Sequence, residues 1–452
     1  MKNKNGFILS TYVYILLVFF LLLLGTMLAV LNNTRLLSNK LKEQSSNTSG
    51  LIDKDFSFIL LGDEELVLRT DEEFVEPGYK VQTPSGTDLS ETVKVEGTVN
   101  TSTIGDYRLT YRVTHNGITK ELTRIVHVVD KRISNYISGL YTYKLDDNGL
   151  IKDNTVDKNI RYSGNYVNNY VEFGNTSELW RIIGIFNVTT SSGSTEKLVK
   201  IVRNSSIGGY SWDSSTGDNS GTHEDGEVND GWGVNQWGAS TYTDDSVYEG
   251  ADLMRELNDL YLNQRSGTCY KGSNNLTATC DFTTKGIGSM YWNLIENVVW
   301  NTGSIFAGST ISVETAYLSE RGTTTGKICT SGTYCNDSVI RTTTWQGKVG
   351  LIYPSDYGYA STDKNCRLNI NDYTNYPCKN NNWLHNNAYD WTLSPILGSN
   401  ESRQVYVVIP GGVIGGTQAS HANSVRPSIY LKSNVSITSG DGSISNPYKL
   451  SM

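Results

Sequence analysis

The spacing of apolar positions changes character along the chain. Residues 7–31 form one uncharged run, FILSTYVYILLVFFLLLLGTMLAVL. It has no polar face, and a helix of about 20 apolar residues is enough to cross a bilayer core. The run predicts a transmembrane helix at 7–31, with a cytoplasmic leader at 1–6 before it and a stalk and linker at 32–53 after it. Between residues 54 and 130 the apolar positions alternate in short stretches: FSFILL, ELVLRT, TVKVEGTV, YRLTYRV and TRIVHVV. Turn signals at Gly62-Asp63, Pro77-Gly78, Gly105-Asp106 and Asn116-Gly117 separate them. Short strands at intervals of about 8–12 residues predict an all-β sandwich.

From 133 to 452 the texture changes again. Strand-like runs (LWRIIGIFNV, KLVKIV, KVGLIYPS, QVYVVIPGG, RPSIYLKS) lie between long loops rich in Gly, Asn and Asp. Two stretches carry helical spacing. In 251–262 the apolar positions are Leu253, Met254, Leu257, Leu260 and Tyr261. In 287–299 they are Ile287, Met290, Tyr291, Leu294, Ile295, Val298 and Val299. One-sided patterns of this kind predict two amphipathic helices, and hence a larger α+β domain with long loops.

Charge narrows the function class. The net charge is −8, and no basic run exceeds two residues, so no surface for nucleic acid is expected. All six cysteines lie in the last part of the chain, as pairs 11, 6 and 12 residues apart. An even count in an exported protein predicts disulfides, and among the 15 possible connectivities the spacing favours Cys269 with Cys280, Cys329 with Cys335 and Cys366 with Cys378. Zinc spacing is absent. The positive charges flanking the apolar run are nearly balanced. Orientation therefore rests on the cysteines and the domain types, which place the C-terminal bulk outside the cell.

Three resemblances add to this reading. The leader ending in Gly6, followed by Phe7, resembles a type IV prepilin leader, although Thr11 stands where pilins usually carry Glu. The residues Glu76-Pro77-Gly78-Tyr79, Val95 to Ser102, Ile104 to Tyr111 and Val126 to Asp130 resemble the bacterial Ig-like domains first described in pesticidal crystal proteins. That resemblance implies a spacer or adhesive module at 54–130. The segments Leu179 to Gly184, Leu253 to Leu260, Gly350 to Ala360, Trp391 to Pro395 and Val425 to Leu431 resemble a family of bacterial surface domains of uncharacterised function. Their order is similar to C-type-lectin-like and formylglycine-generating-enzyme-like folds, which implies a C-type-lectin-like head at 133–452.

Candidate chemistry is sparse. The five histidines have no metal-motif spacing, and no nucleophile elbow or phosphate loop occurs, so no catalytic residue is assigned. The Asp- and Trp-rich stretch Asp213 to Asp245, with Asp225, Glu227, Asp230, Trp232 and Trp237, offers oxygen ligands suited to Ca²⁺, without the EF-hand pattern; no other cofactor is expected. Trp383, Trp391, Tyr357 and Tyr359 are candidate sugar-stacking residues, with a core role as the competing reading. Arg181 and Arg426 are expected to pair with carboxylates inside the fold. The expected function is a membrane-anchored cell-surface binding or adhesion protein, its partners the membrane through 7–31 and a glycan or protein ligand. The alternatives are a minor pilin with an adhesive head and a cell-envelope enzyme acting on glycan.

Overall fold

The computed structural model describes residues 16–28, 30–31, 34–35, 38, 55–143, 148–175, 178–214, 233–238, 240–241, 247–248, 250–273, 276–306, 310–322, 342–372, 376–397 and 403–452. Residues 16–28 are helical, and every side chain from Leu16 to Leu24 is exposed, by 42 to 68%. Among the described residues no helix is long and apolar enough to cross a membrane. Residues 1–15 and most of 32–53 lie outside the described residues, and with them the expected leader, the start of the expected span and most of the linker.

The chain divides into two compact units. One comprises Met1–Leu66, Glu73–Asn100 and Asp106–His127; the other comprises Val67–Glu72, Thr101–Gly105 and Val128–Met452. In the first region the alternating runs become strands as expected. Ser57–Leu60 pairs antiparallel with Tyr79–Gln82. A four-stranded sheet follows the order Glu65–Arg69, Ile118–Val129, Gly105–His115, Lys94–Glu96. Phe56, Phe58, Val81, Leu109, Tyr111 and Val113 fill the core. The Glu76 signature residue has a physical role here. Its carboxylate pairs with Arg124, which is fully buried, and accepts a hydrogen bond from the Tyr111 hydroxyl. Gly97 is also required: it sits at φ +106°, and a Cβ there would strike the Arg108 carbonyl oxygen.

The second unit is mostly β, built from sandwich-like sheets with a few short helices. A seven-stranded sheet runs Val349–Gly350, Ser428–Leu431, Thr195–Arg203, Glu178–Thr189, Ile160–Tyr162, Leu150–Lys152, and Tyr170–Phe173 also pairs with Glu178–Thr189. The run Trp180 to Phe186 is buried without a break, because both faces of that strand are covered. Ile160–Tyr162 passes so close that a Cβ on Gly184 would collide with the Ile160 carbonyl. A second sheet runs Gly209–Ser211, Ala422–Ser424, Asp390–Leu397, Gln404–Val408, Ile414–Gln418, with Ile305–Phe306 parallel to Asp390–Leu397.

One expected helix forms and one does not. Asp252–Arg255 is α-helical and widens into a π-helical turn over Glu256–Tyr261, burying Leu253, Leu257 and Tyr261 as the spacing required. The widening has a local cause. The Asn258 side chain donates to the Met254 carbonyl at 2.9 Å, and Leu262 N–H reaches back to Leu257 O. The helix expected at 287–299 is replaced by a 3₁₀ turn, Ser289–Leu294, and a strand, Val298–Asn301, that pairs with Thr344–Gly347. Gly288 at φ +83° and β-branched Val298-Val299 favour that outcome, and Met290, expected on the buried face, is 72% exposed. The KVGLIYPS run is likewise a strand only at Val349–Gly350. Pro354 then opens a short helix, Pro354–Tyr359, whose Asp356 side chain accepts the Tyr353 N–H.

Candidate functional site

A charge inside a run of Val and Ile must find a partner, because a lone buried ion costs several kcal/mol. Among the cations buried in the large sheet are Arg161 within Ile-Arg-Tyr and Lys200 within Val-Lys-Ile. Both are buried, and both are met by Asp356. Arg161 Nη1 donates to Asp356 Oδ1 at 2.8 Å, and Lys200 Nζ donates to Oδ2 at 2.6 Å. Arg161 Nε also donates to Asp153 Oδ2 at 2.7 Å. Burial opposes ionisation of Asp356, but Lys200 and Arg161 together outweigh it and hold the carboxyl below its usual range. Burial pushes Lys200 down to about 8, which leaves it an ammonium at neutral pH.

Glu320 closes the inner end of this network. It is fully buried at the end of the helix Val313–Glu320 and accepts from Ser355 N at 2.8 Å and from Ser355 Oγ at 2.6 Å. Burial pushes it up to about 7. In the protonated form its hydroxyl donates to Ser355 Oγ instead.

The outer end opens on a cleft of about 200 Å³ lined by Ser138, Lys152, Asp157, Lys158, Asn159, Ile160, Ile185, Phe186, Asn187 and Lys197. Asn159 joins cleft and network. Its side chain donates to Asp153 Oδ2 and to Tyr317 Oη, both at 3.0 Å, and the Tyr317 hydroxyl donates in turn to Asp157. Phe186, on the cleft floor, stacks on Arg161 with the guanidinium 4.5 Å from its ring centre. Three lysines and one aspartate thus line the cleft over an ordered floor. That arrangement suits an anionic ligand whose oxygens also take amide and hydroxyl hydrogen bonds.

The four candidate stacking residues are all buried: Tyr357 at 0%, Tyr359 and Trp391 at 1%, and Trp383 at 6%. Their polar ends are held inside the fold. Trp383 Nε1 donates to Tyr162 O, Trp391 Nε1 donates to Tyr210 O, and the Tyr357 hydroxyl meets His385 Nδ1 at 3.2 Å. Tyr359 lies against Arg161, its hydroxyl bonded to Asn154. Arg426 does pair with a carboxylate, Asp390, at 2.8 Å. Arg181 is a correction. It is clasped between the Tyr170 and Trp383 rings at 4.2 and 4.6 Å, and its donors go to Asn169 and to backbone carbonyls. Burial accordingly pushes its pKa down to about 10.

Two of the expected disulfides are formed, Cys269–Cys280 and Cys366–Cys378; Cys329 and Cys335 lie outside the described residues. So do Asp225, Glu227, Asp230 and Trp232 of the expected Ca²⁺ stretch. Asp213 is buried and accepts from Val234 N–H at 2.6 Å, while Trp237 packs against Trp212. Among the described residues no group of three or more His, Cys, Asp or Glu side chains is placed to hold a metal ion. Sequence reading missed Asp153, Arg161, Lys200, Glu320 and Asp356. The available signal was charge at inward positions of apolar strands, together with the Pro-Ser-Asp start of a helix.

Comparison with curated proteins gives no match. Among solved structures, a lipoprotein from Bacteroides thetaiotaomicron is 23% identical, covering 33% of this chain and 61% of its own, with a TM-score of 0.16. The CBM51-2 and INT domains of Clostridium perfringens ZmpB, in complex with GlcNAc, are 14% identical, covering 34% of this chain and 30% of their own, also with a TM-score of 0.16. The chain thus spans less than two thirds of either, and scores of this size transfer nothing from them. One family model does match: residues 58–128 fit the Ig-like domain of bacterial surface proteins.

Proposed function

We propose that this is a cell-surface binding protein whose large C-terminal unit takes an acidic glycan in the cleft ringed by Lys152, Lys158 and Lys197. The cleft carries the ligand assignment, because three lysines line it on a protein of net charge −8. Location at the surface is supported by the match of residues 58–128 to bacterial surface Ig-like domains and by two disulfides, which persist in oxidising compartments. The N-terminal segment serves as the anchor. The exposed row from Leu16 to Leu24 continues an uncharged sequence long enough for a bilayer, and lipid is the medium that would cover it. The Ig-like domain acts as the spacer, and the large unit is a C-type-lectin-like head.

The test is binding of the detergent-solubilised full chain to a carboxylated polysaccharide, with a neutral one as control. The expected outcome is binding that weakens as salt rises and is lost in the Lys152→Glu/Lys158→Glu/Lys197→Glu variant. Equal binding of the neutral polymer, or no effect of the triple variant, would overturn the assignment. Sequencing the mature amino terminus separates the pilin alternative, which requires a start at Phe7.

A further inference from the structure

Lys200 and Asp356 make an unusual pair. They come from elements 156 residues apart in sequence, a strand of the large sheet and the first turn of the helix Pro354–Tyr359. Both side chains are sealed from solvent, with side-chain exposures of 0 and 1%. The lysine amine lies 4.0 Å from the centre of the Tyr353 ring and 5.2 Å from that of Trp300. Water is excluded there, and the amine faces a single carboxyl group. Asp356 uses its two oxygens differently: Oδ1 is held by the Arg161 guanidinium, whereas Oδ2 takes Lys200 Nζ and the Tyr353 N–H.

We propose that Lys200 and Asp356 become joined by an amide bond between Nζ and Cγ, formed by the folded protein itself. The atoms balance without any co-reactant. Proton transfer across the 2.6 Å hydrogen bond turns the ammonium–carboxylate pair into amine and carboxylic acid. Nζ attacks Cγ, and the negative charge gathers on Oδ1 against Arg161, a fixed cation already in place. The bond from Cγ to Oδ2 then breaks. Oδ2 leaves as water with two of the three original ammonium protons, and the third remains on the amide nitrogen. Glu320 is a neighbouring buried carboxyl, electrostatically coupled to both partners, with its own oxygens held by Ser355. The product ties the sheet to the helix covalently and removes two buried charges. A head that is pulled through its ligand would gain a permanent brace at its centre.

The test is peptide mapping of the reduced full chain purified from its producing cells. Trypsin should not cut after Lys200. It should instead release one branched species in which residues 198–203 are joined to residues 349–364, one water lighter than the two peptides together. Recovery of separate peptides with cleavage after Lys200 means that only a salt bridge exists, and this overturns the proposal. The wild-type map decides the matter even if variants fail to fold. Where Lys200→Met or Asp356→Ala does fold, the branched species should vanish completely. Its survival in either would show that other residues are joined.

Discussion

At the scale of single residues, buried charge dominates this protein's behaviour. Arg161 is the clearest case, because two carboxylates depend on it, Asp153 and Asp356. Replacing it with Met leaves both buried with a partner removed, and removing one member of a buried pair costs about 3–5 kcal/mol. Urea unfolding of Arg161→Met should show a loss of that size, and a change below about 1 kcal/mol would mean that the network stabilises little. Glu320 gives a pH signature. Its pKa rises from the ordinary 4.5 to about 7 in the fold. Between those values the folded state holds a proton that the unfolded chain releases, so stability falls as pH rises through this window. At 1.36 kcal/mol per unit the loss is on the order of 3 kcal/mol. Glu320→Gln should flatten that slope in melting curves taken between the two pH values; an unchanged slope would assign it to other groups. Neither role was legible in the sequence. The partners of Arg161 and Lys200 are far away along the chain, and alternation of apolar residues says only that a charge points inward, not what meets it.

At the scale of elements, local signals worked where local physics decided. The Leu-Trp-Arg-Ile-Ile-Gly run is a strand because β-branched and aromatic residues fill it, and its Gly184 admits the close pass of Ile160–Tyr162. The 251–262 helix buries its expected stripe. The 287–299 pattern misled, because Ile287, Leu294, Ile295 and Val298 fit a helical stripe and also fit a turn that runs into an edge strand. Pairing with Thr344–Gly347 settled it, and that partner lies beyond any local window. The disulfides belong to this scale too. Cys366 and Cys378 lie 12 residues apart, where loop closure contributes about 3 kcal/mol in the chain-entropy account. Thermal melting of the Cys366→Ser/Cys378→Ser variant should show a loss of that order. An unaltered melting temperature would mean that the packed helix Lys364–Leu368 holds the loop without the bridge.

At the scale of the whole molecule, each unit follows its own logic. The Ig-like unit repeats a short-strand plan in which Glu76, Tyr111 and Arg124 lock together inside one small core. The larger unit is organised around a sheet in which two of the interior cations, Arg161 and Lys200, meet one helix-capping aspartate. The same sheet presents the cleft on its outer part, so the proposed ligand site and the buried network share Asn159 and Phe186. Tight coupling of this kind predicts that variants of Asp153 would weaken both stability and glycan binding, whereas the cleft lysines would affect binding alone.

The sequence by itself determined the class of chain: an uncharged N-terminal run, a unit of short strands with a recognisable surface-domain signature, and a cysteine-bearing unit after it. These are properties of composition, periodicity and neighbouring turns, which act over a few residues. Its cysteine spacing also favoured pairing of neighbours, and the two pairs among the described residues, Cys269–Cys280 and Cys366–Cys378, are joined. Only the tertiary structure decided which aromatic residues are core, that the lysines at positions 152, 158 and 197 line one cleft, and that Lys200 meets Asp356. The physical reason is distance along the chain. Burial and pairing of a side chain depend on strands that arrive from scores of residues away, and no local pattern encodes which strand that will be.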